Sequence, residues 1–349
     1  MLRKFALLTC LCLCSPAHPA RGAEIVLNAV GDIMLAGSGT SVYARLGYDY
    51  PFAATRNHLK KGDIAIGNLE APITSRGVEF RDKRFRFRAA PAAATALQEA
   101  GFSVLTLANN HLLDYGSVGL QDTTDLLDRC GILHAGAGKD LGAARRAVTI
   151  TIKGKRLAFL AYSLTFPEEF FATGSRPGTA PGYPSFFAED IAKARQTADY
   201  VIVSFHWGTE RAEHPHSRQV AAAHQAIDAG ADVVLGHHPH VLQGIERYKG
   251  GIIMYSLGNF AFGSLSPSSR QSVIARITLG EGVRNVEFIP LNVLNRTVRF
   301  QPRVMEAERG DAVIAHLNRI SAHLGATIVT DGGHYILDMG EDNKKVARR

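Results

Sequence analysis

The sequence predicts an α/β fold in which a mainly parallel sheet is faced by a second sheet. Short apolar runs rich in β-branched residues alternate with longer amphipathic stretches up to Leu235, the rhythm of strand–helix–strand units. Beyond Leu235 the strand-like runs follow one another without long helices between them, which calls for the second sheet.

Taken in order, Ile25–Val30 (IVLNAV) reads as the first strand and ends in Gly31-Asp32. A helix is expected over Pro51–Lys61, where proline suits the first turn. Next come strand Ile64–Ile66, helix Pro91–Glu99, strand Ser103–Leu107 and helix Val118–Cys130, stopped by Gly131. Ala147–Ser163 holds two alternating runs around Lys153-Gly154, a hairpin signal. Helix Phe186–Thr197 leads to strand Val201–Phe205, and helix Gln219–Ala229 to strand Val233–Leu235. Val241–Glu246, Ile252–Ser256, Val273–Leu279 and Val286–Ile289 read as the later strands. The Gly/Pro-rich stretch Ala172–Pro184 is expected to be a surface loop near a site, because strand–helix units continue on both sides.

At the N-terminus, Arg3 and Lys4 precede the apolar run Phe5–Cys14, and small residues follow. That pattern predicts an export signal over 1–23 and a periplasmic or extracellular protein. The run is far short of the ~20 residues of a membrane helix. Lipid anchoring is not expected, since Cys10 lies inside the apolar run instead of at its end. Removing the signal leaves Cys130 as the sole cysteine, so stability must come from the core instead of an internal disulfide. A main domain over 24–305 and a C-terminal helix and basic tail over 306–349 complete the expected organisation. Arg3, Lys4, Arg21, Lys344, Lys345, Arg348 and Arg349 account for the formal net charge of +7, and the body is near neutral. A nucleic-acid partner is therefore not expected.

Polar clusters close the strand-like runs: Gly31-Asp32, Asn68-Leu69-Glu70, Asn109-Asn110-His111, His206-Trp207-Gly208 and His237–His240. Ligands of open α/β sheets gather outside the carboxyl ends of strands. A mixed set of carboxylate, amide and imidazole donors suits a first-row divalent metal. In extended backbone His238 and His240 would face one site and His237 the other way, with Pro239 stiffening the pair. His214-Pro215-His216 repeats that spacing before a helix and is read as part of the helix start. His58, His134 and His224 are read as satisfied or solvated, and Gly136-Ala137-Gly138 as a turn. Arg76–Arg88 (RGVEFRDKRFRFR) alternates basic and aromatic residues and reads as a solvated edge strand, with contact to an anion as the alternative.

The ordered motifs GDIML, GNLEAPIT, LANNHLLDYG, HAGAG, FHWGTE, GADVVLGHHPHVLQG and YSLGNF resemble the bacterial CapA/PgsA family of poly-γ-glutamate capsule-synthesis proteins, over roughly Ala29–Phe262. That family is related to calcineurin-like metallophosphoesterases. The resemblance implies a four-layer α/β/β/α sandwich of two facing mixed sheets flanked by helices. It implies metal ligation by Asp32, Glu70, Asn110, His206, His238 and His240, with Glu70 bridging one or two manganese, iron or zinc ions. Asp32, Glu70 and His240 would surround one ion, and Glu70, Asn110, His206 and His238 the other. His111 would contact substrate and protonate the leaving group after attack by an activated water.

Around these ligands, Asp114 is expected either to orient His111 or to cap the helix near Gly116. Glu210 is an acid–base or substrate contact or a surface ion-pair partner. Arg88 is a candidate anion contact, and Asn259 a turn former or substrate contact. Two features depart from the phosphoesterases: Met34 replaces the usual histidine two residues after the first aspartate, and Glu70 replaces an aspartate bridge. The implied activity is metal-dependent hydrolysis of an anionic envelope polymer or its phosphorylated precursor, beside a membrane-bound polymer synthase complex. The competing reading is a non-catalytic capsule-assembly component with a degenerate metal site.

Overall fold

A computed structural model describes residues 23–340 of the chain. The expected export signal and the KKVARR tail lie outside the described residues. Two mixed sheets pack face to face. The first has ten strands and runs from Ile328–Asp331 through His334–Leu337, Gly282–Asn292, Gln271–Gly280, Ile25–Met34, Ile64–Leu69 and Val104–Thr106 to Leu133–Ala135. Asn259–Phe262 also pairs with Ile25–Met34, and Arg303–Val304 with Gly282–Asn292. The second has six strands in the order Ile245–Tyr248, Gly251–Met254, Val233–His237, Tyr200–His206, Lys155–Ser163 and Val148–Ile152. Parallel pairs occupy the middle of the second sheet and antiparallel hairpins its edges.

The central strands are apolar on both faces because both faces are covered. Leu27 and Ile66 of the first sheet meet Phe159, Ile202 and Leu235 of the second in one core. On the outer face of the first sheet, Leu97 of helix Ala92–Ala100 and Leu120 and Leu127 of helix Gly116–Arg129 close a second core. Phe187 and Ile191 of helix Pro184–Arg195, with Ala223 and Ile227 of helix Ser217–Asp228, cover the second sheet. The result is the four-layer α/β/β/α sandwich.

Several local expectations need correction. Arg76–Arg88 forms no strand: the amides of Phe80 and Phe87 donate to the backbone carbonyl and the carboxylate of Asp114 instead of to a neighbouring strand. The strand expected over Val241–Glu246 begins only at Ile245, because positive φ at His238 and His240 turns the chain first. Ala137–Gly138 is not merely a turn but pairs with Gly178–Thr179, which pins the loop Ala172–Pro184. Nor does residue 305 end the domain. Val313, Leu317 and Ile320 of helix Ala307–Ser321 enter the core between the sheets, and His334–Leu337 extends the first sheet.

One close approach sets the register of the site. The amide of Asp32 donates to the Gly258 carbonyl at 3.0 Å, and Asp32 lies opposite Asn259. A Cβ on Gly31 would stand 1.8 Å from that same carbonyl oxygen, so no larger residue fits. Gly31→Ala should cost about 1–3 kcal/mol of stability or more, read as a lower urea midpoint; an unchanged midpoint would contradict the contact.

Candidate metal centre

The candidate ligands lie near or just past the carboxyl ends of strands. Asp32 sits where the pairing of Ile25–Met34 with Ile64–Leu69 slips out of register, an irregularity that re-aims a side chain. Glu70 directly follows Ile64–Leu69, and Asn109–His111 follow Val104–Thr106 after a short connection. His206 ends one strand of the facing sheet, and His237 ends its neighbour in register with it. The two sheets thereby present their carboxyl ends to one pocket.

There the donor atoms converge. Glu70, His238 and His240 form one set, and Asp32, Glu70 and His206 another, with ligand atoms within 4.8 Å of one another in each. Glu70 is common to both, as a bridging carboxylate must be. Its Oε1 lies 3.6 Å from His240 Nε2 and 3.7 Å from His206 Nε2. Asn110 Oδ1 lies 3.0 Å from His206 Nε2, so amide and imidazole converge on the same side. His206 thus lies close to both Asp32 and Asn110, and His240 close to His238. His240 Nδ1 nevertheless lies 3.2 Å from Asp32 Oδ2, so the two sets form a continuous cluster.

Burial decides the electrostatics. Glu70 is fully buried, and its Oε1 has no hydrogen-bond partner. Desolvation first, then the Asp32 charge, holds its carboxyl well above the usual range. Burial also pushes Asp32 upward, but His237 and His240 overrule it, and the net position is well below the ordinary carboxyl value. Burial holds His206 well below an ordinary imidazole and lowers His238 to about 3. Neutral imidazoles and an unsatisfied buried carboxylate oxygen fit a divalent cation, which would supply the missing charge and accept both lone pairs.

A second layer fixes these groups, and part of it was missed from sequence. Asn68 Nδ2 donates to Asp32 Oδ1 at 2.9 Å, and Asn109 Nδ2 donates to Asn68 Oδ1 at 3.1 Å. Asn109 Oδ1 accepts from the amides of His111 and Leu112, holding the turn that aims His111. Both asparagines stood in the strand-exit clusters beside stronger ligands, the only signal available. His237 is not turned away: its Nδ1 lies 3.2 Å from Asp32 Oδ1. The extended-backbone argument fails because φ is +95° at His238 and +58° at His240.

Beside the ligands, His111 Nδ1 meets Asp114 Oδ2 at 2.6 Å, leaving Nε2 as the free ring nitrogen. Asp114 caps no helix, since Tyr115 occupies that position without a side-chain cap. Lys83, which the sequence reading did not single out, places Nζ 2.6 Å from Asp114 Oδ1 and also donates to the Asn110 carbonyl. The Phe87 ring packs at a tilt against His111, with ring centroids 4.9 Å apart. The segment 76–88 therefore lies over the site through Lys83 and Phe87. Arg88 does not join: its guanidinium sits 4.5 Å over the Tyr115 ring. Asn259 begins a strand instead of a turn, and its Oδ1 lies 2.9 Å from His240 Nδ1. Glu210 stays on the exposed rim, where its charge acts on Glu70 and His240. Met34 is buried among Ala36, Ala71 and Phe262, outside the donor set. His216 helps cap helix Ser217–Asp228 with Gln219.

The lowered His238 pKa fixes a pH dependence. In metal-free protein the folded state binds fewer protons at His238 than the unfolded chain between about 3 and 6.5. Its contribution to stability is complete above that window and is lost as pH falls through it. Denaturant unfolding of metal-free protein should show His238→Asn with a shallower acid loss than wild type; identical slopes would refute the assignment.

Comparison with known proteins agrees with this geometry. Residues 26–264 match the family described as Bacterial capsule synthesis protein PGA_cap. The chain is 35% identical to Capsule biosynthesis protein CapA of Bacillus anthracis, over 80% of this chain and 70% of that one. It is 34% identical to PGA biosynthesis protein CapA of Bacillus subtilis (strain 168), over 79% and 74%. Among solved structures, the fold is similar to Haemophilus influenzae NAD nucleotidase, with a TM-score of 0.51 and 13% identity over 94% of this chain and 56% of that one. The chain belongs to the bacterial capsule synthesis protein family PGA_cap.

Proposed function

We propose that this protein is an exported, divalent-metal-dependent hydrolase that acts on an anionic capsule polymer of the poly-γ-glutamate type or on its phosphorylated precursor. The observation that carries the proposal is Glu70 Oε1, buried without a hydrogen bond between His206 and His240, next to the His111–Asp114 pair. The names of the two CapA relatives support the polymer class. The basic start and apolar run Phe5–Cys14 support export. No helix among the described residues is long and apolar enough to cross a membrane.

Asp32, Glu70, Asn110, His206, His238 and His240 would hold the metal. When bound, the ion polarises the scissile group and eases deprotonation of water. The remaining steps belong to the protein. Asp114 keeps His111 Nδ1 engaged, so Nε2 faces the leaving group. Burial lowers the His111 pKa, and Asp114 opposes that effect. An anionic substrate adds negative charge beside the ring and favours the imidazolium that donates a proton. Lys83 holds Asp114 in place, while the Phe87 ring packs at a tilt against His111.

Met34 favours a second reading, a non-catalytic assembly component, because an apolar side chain stands where the phosphoesterases supply an imidazole. Kinetics separates the two. His111→Asn should lower kcat on a generic phosphodiester or on a glutamyl amide by about 10²–10⁴-fold while metal content stays at the wild-type level. Full metal with no turnover by wild-type protein on either substrate would leave the assembly reading standing.

A further inference from the structure

Apart from the metal-ligand cluster, a cavity of about 500 Å³ opens between the loop after Tyr200–His206, the start of Gln271–Gly280 and helix Ala307–Ser321. Arg211, Arg270, Arg319, His316 and Glu213 line it. The Arg211 and Arg270 side chains make no hydrogen bond or ion pair among the described residues. Among the described residues the Arg319 guanidinium bonds to His316 Nδ1, at 2.6 Å. Glu213, the carboxylate in the lining, faces His316 Nε2 at 3.7 Å and leaves the guanidiniums uncompensated.

This cavity shares a wall with the metal centre. The Arg211 amide donates to the Pro239 carbonyl at 2.7 Å, between His238 and His240, and Val241 lines the cavity immediately after His240. Arg211 has φ of +65° and His240 +58°. Non-glycine residues pay for that backbone region and keep it where the surroundings impose it, often at ligand sites. Along this seam one segment carries imidazoles toward the metal ligands while its neighbour carries a guanidinium into the cavity.

We propose that the cavity is a subsite for an extended oligocarboxylate, holding successive carboxylates of an anionic chain whose next unit lies at the metal centre; it rests on the hydrolase reading for the direction of the chain, not for binding. Guanidinium is the group that pairs carboxylates through two parallel hydrogen bonds. Three guanidiniums on three separate elements suit spaced charges along a chain better than one compact anion. The volume matches small-ligand sites of roughly 300–1,000 Å³. Among the described residues no Phe, Tyr or Trp lines the cavity, and its one imidazole, His316, is engaged by Arg319, which disfavours a nucleic-acid strand.

The test is direct binding of a fluorescently labelled oligoglutamate of about ten residues to the metal-loaded full chain, read by anisotropy. Wild type should bind, and Arg270→Ala/Arg319→Ala should raise Kd at least tenfold. Arg270→Lys/Arg319→Lys, which keeps the charge and loses the planar fork, should fall between them. Unlabelled oligoglutamate should displace the probe at lower concentration than inorganic pyrophosphate or oligothymidylate. Unchanged Kd in both double variants, or no binding by wild type, overturns the proposal. Stronger displacement by pyrophosphate overturns it in favour of a phosphate site, and by oligothymidylate in favour of a nucleic-acid site. Because the readout is binding, a chain that binds but never hydrolyses defeats the hydrolase reading and leaves this subsite intact.

Discussion

A carboxylate taken wholly out of water with an oxygen left unpaired is among the costliest arrangements a fold can hold. Glu70 is in that position, with a second buried carboxylate, Asp32, near enough for its charge to raise the Glu70 pKa. Burial keeps His206 and His238 neutral, so neither relieves it. A divalent cation held by Asp32, Glu70, His206, His238 and His240 would supply the charge that compensates the carboxylates and would accept the imidazole lone pairs. The rest of the architecture serves that arrangement, since the donors come from several strands of both sheets, His238 and His240 following the same one, and only the facing of two sheets brings them together.

The rigidity around the site follows from the same need. Asn68 and Asn109 form a hydrogen-bonded chain from Asp32 to the His111 turn, and Gly31 lets the Gly258 carbonyl come close enough to seat Asn259 beside Asp32. Fully satisfied polar networks of this kind fix geometry, whereas partly satisfied ones do not. Lys83 and Phe87 complete the cover from a segment with no regular structure, tied down at Phe80 and Phe87, whose amides bond to Asp114 instead of to a neighbouring strand.

Much of this was legible in the sequence, and the reasons for the misses are physical. Strand and helix periodicity marked the framework from Ile25 to Leu235, and the polar residues at strand exits marked Asp32, Glu70, Asn110, His206 and the 237–240 cluster. Periodicity misled at Arg76–Arg88, where alternating arginine and phenylalanine imitate an edge strand but answer to Asp114 and His111. It misled again at His237, because the side-chain alternation assumed there holds only for extended backbone and the chain turns through positive φ at His238. The hairpin Ile328–Asp331/His334–Leu337 lay in a stretch read as helix and tail, and short outer strands carry little apolar pattern. The Arg211–Arg270–Arg319 cavity has no sequence signal, since its members lie far apart and converge only through folding.

The central claim is that Glu70 sits against a bound divalent ion. Crystals of protein grown with manganese and measured at the manganese absorption edge would test it most directly. The account predicts an anomalous peak at bonding distance from a Glu70 carboxylate oxygen and from at least one of His206, His238 and His240. A map with no anomalous peak in that pocket, from crystals of protein that also carries no metal in solution, would contradict it.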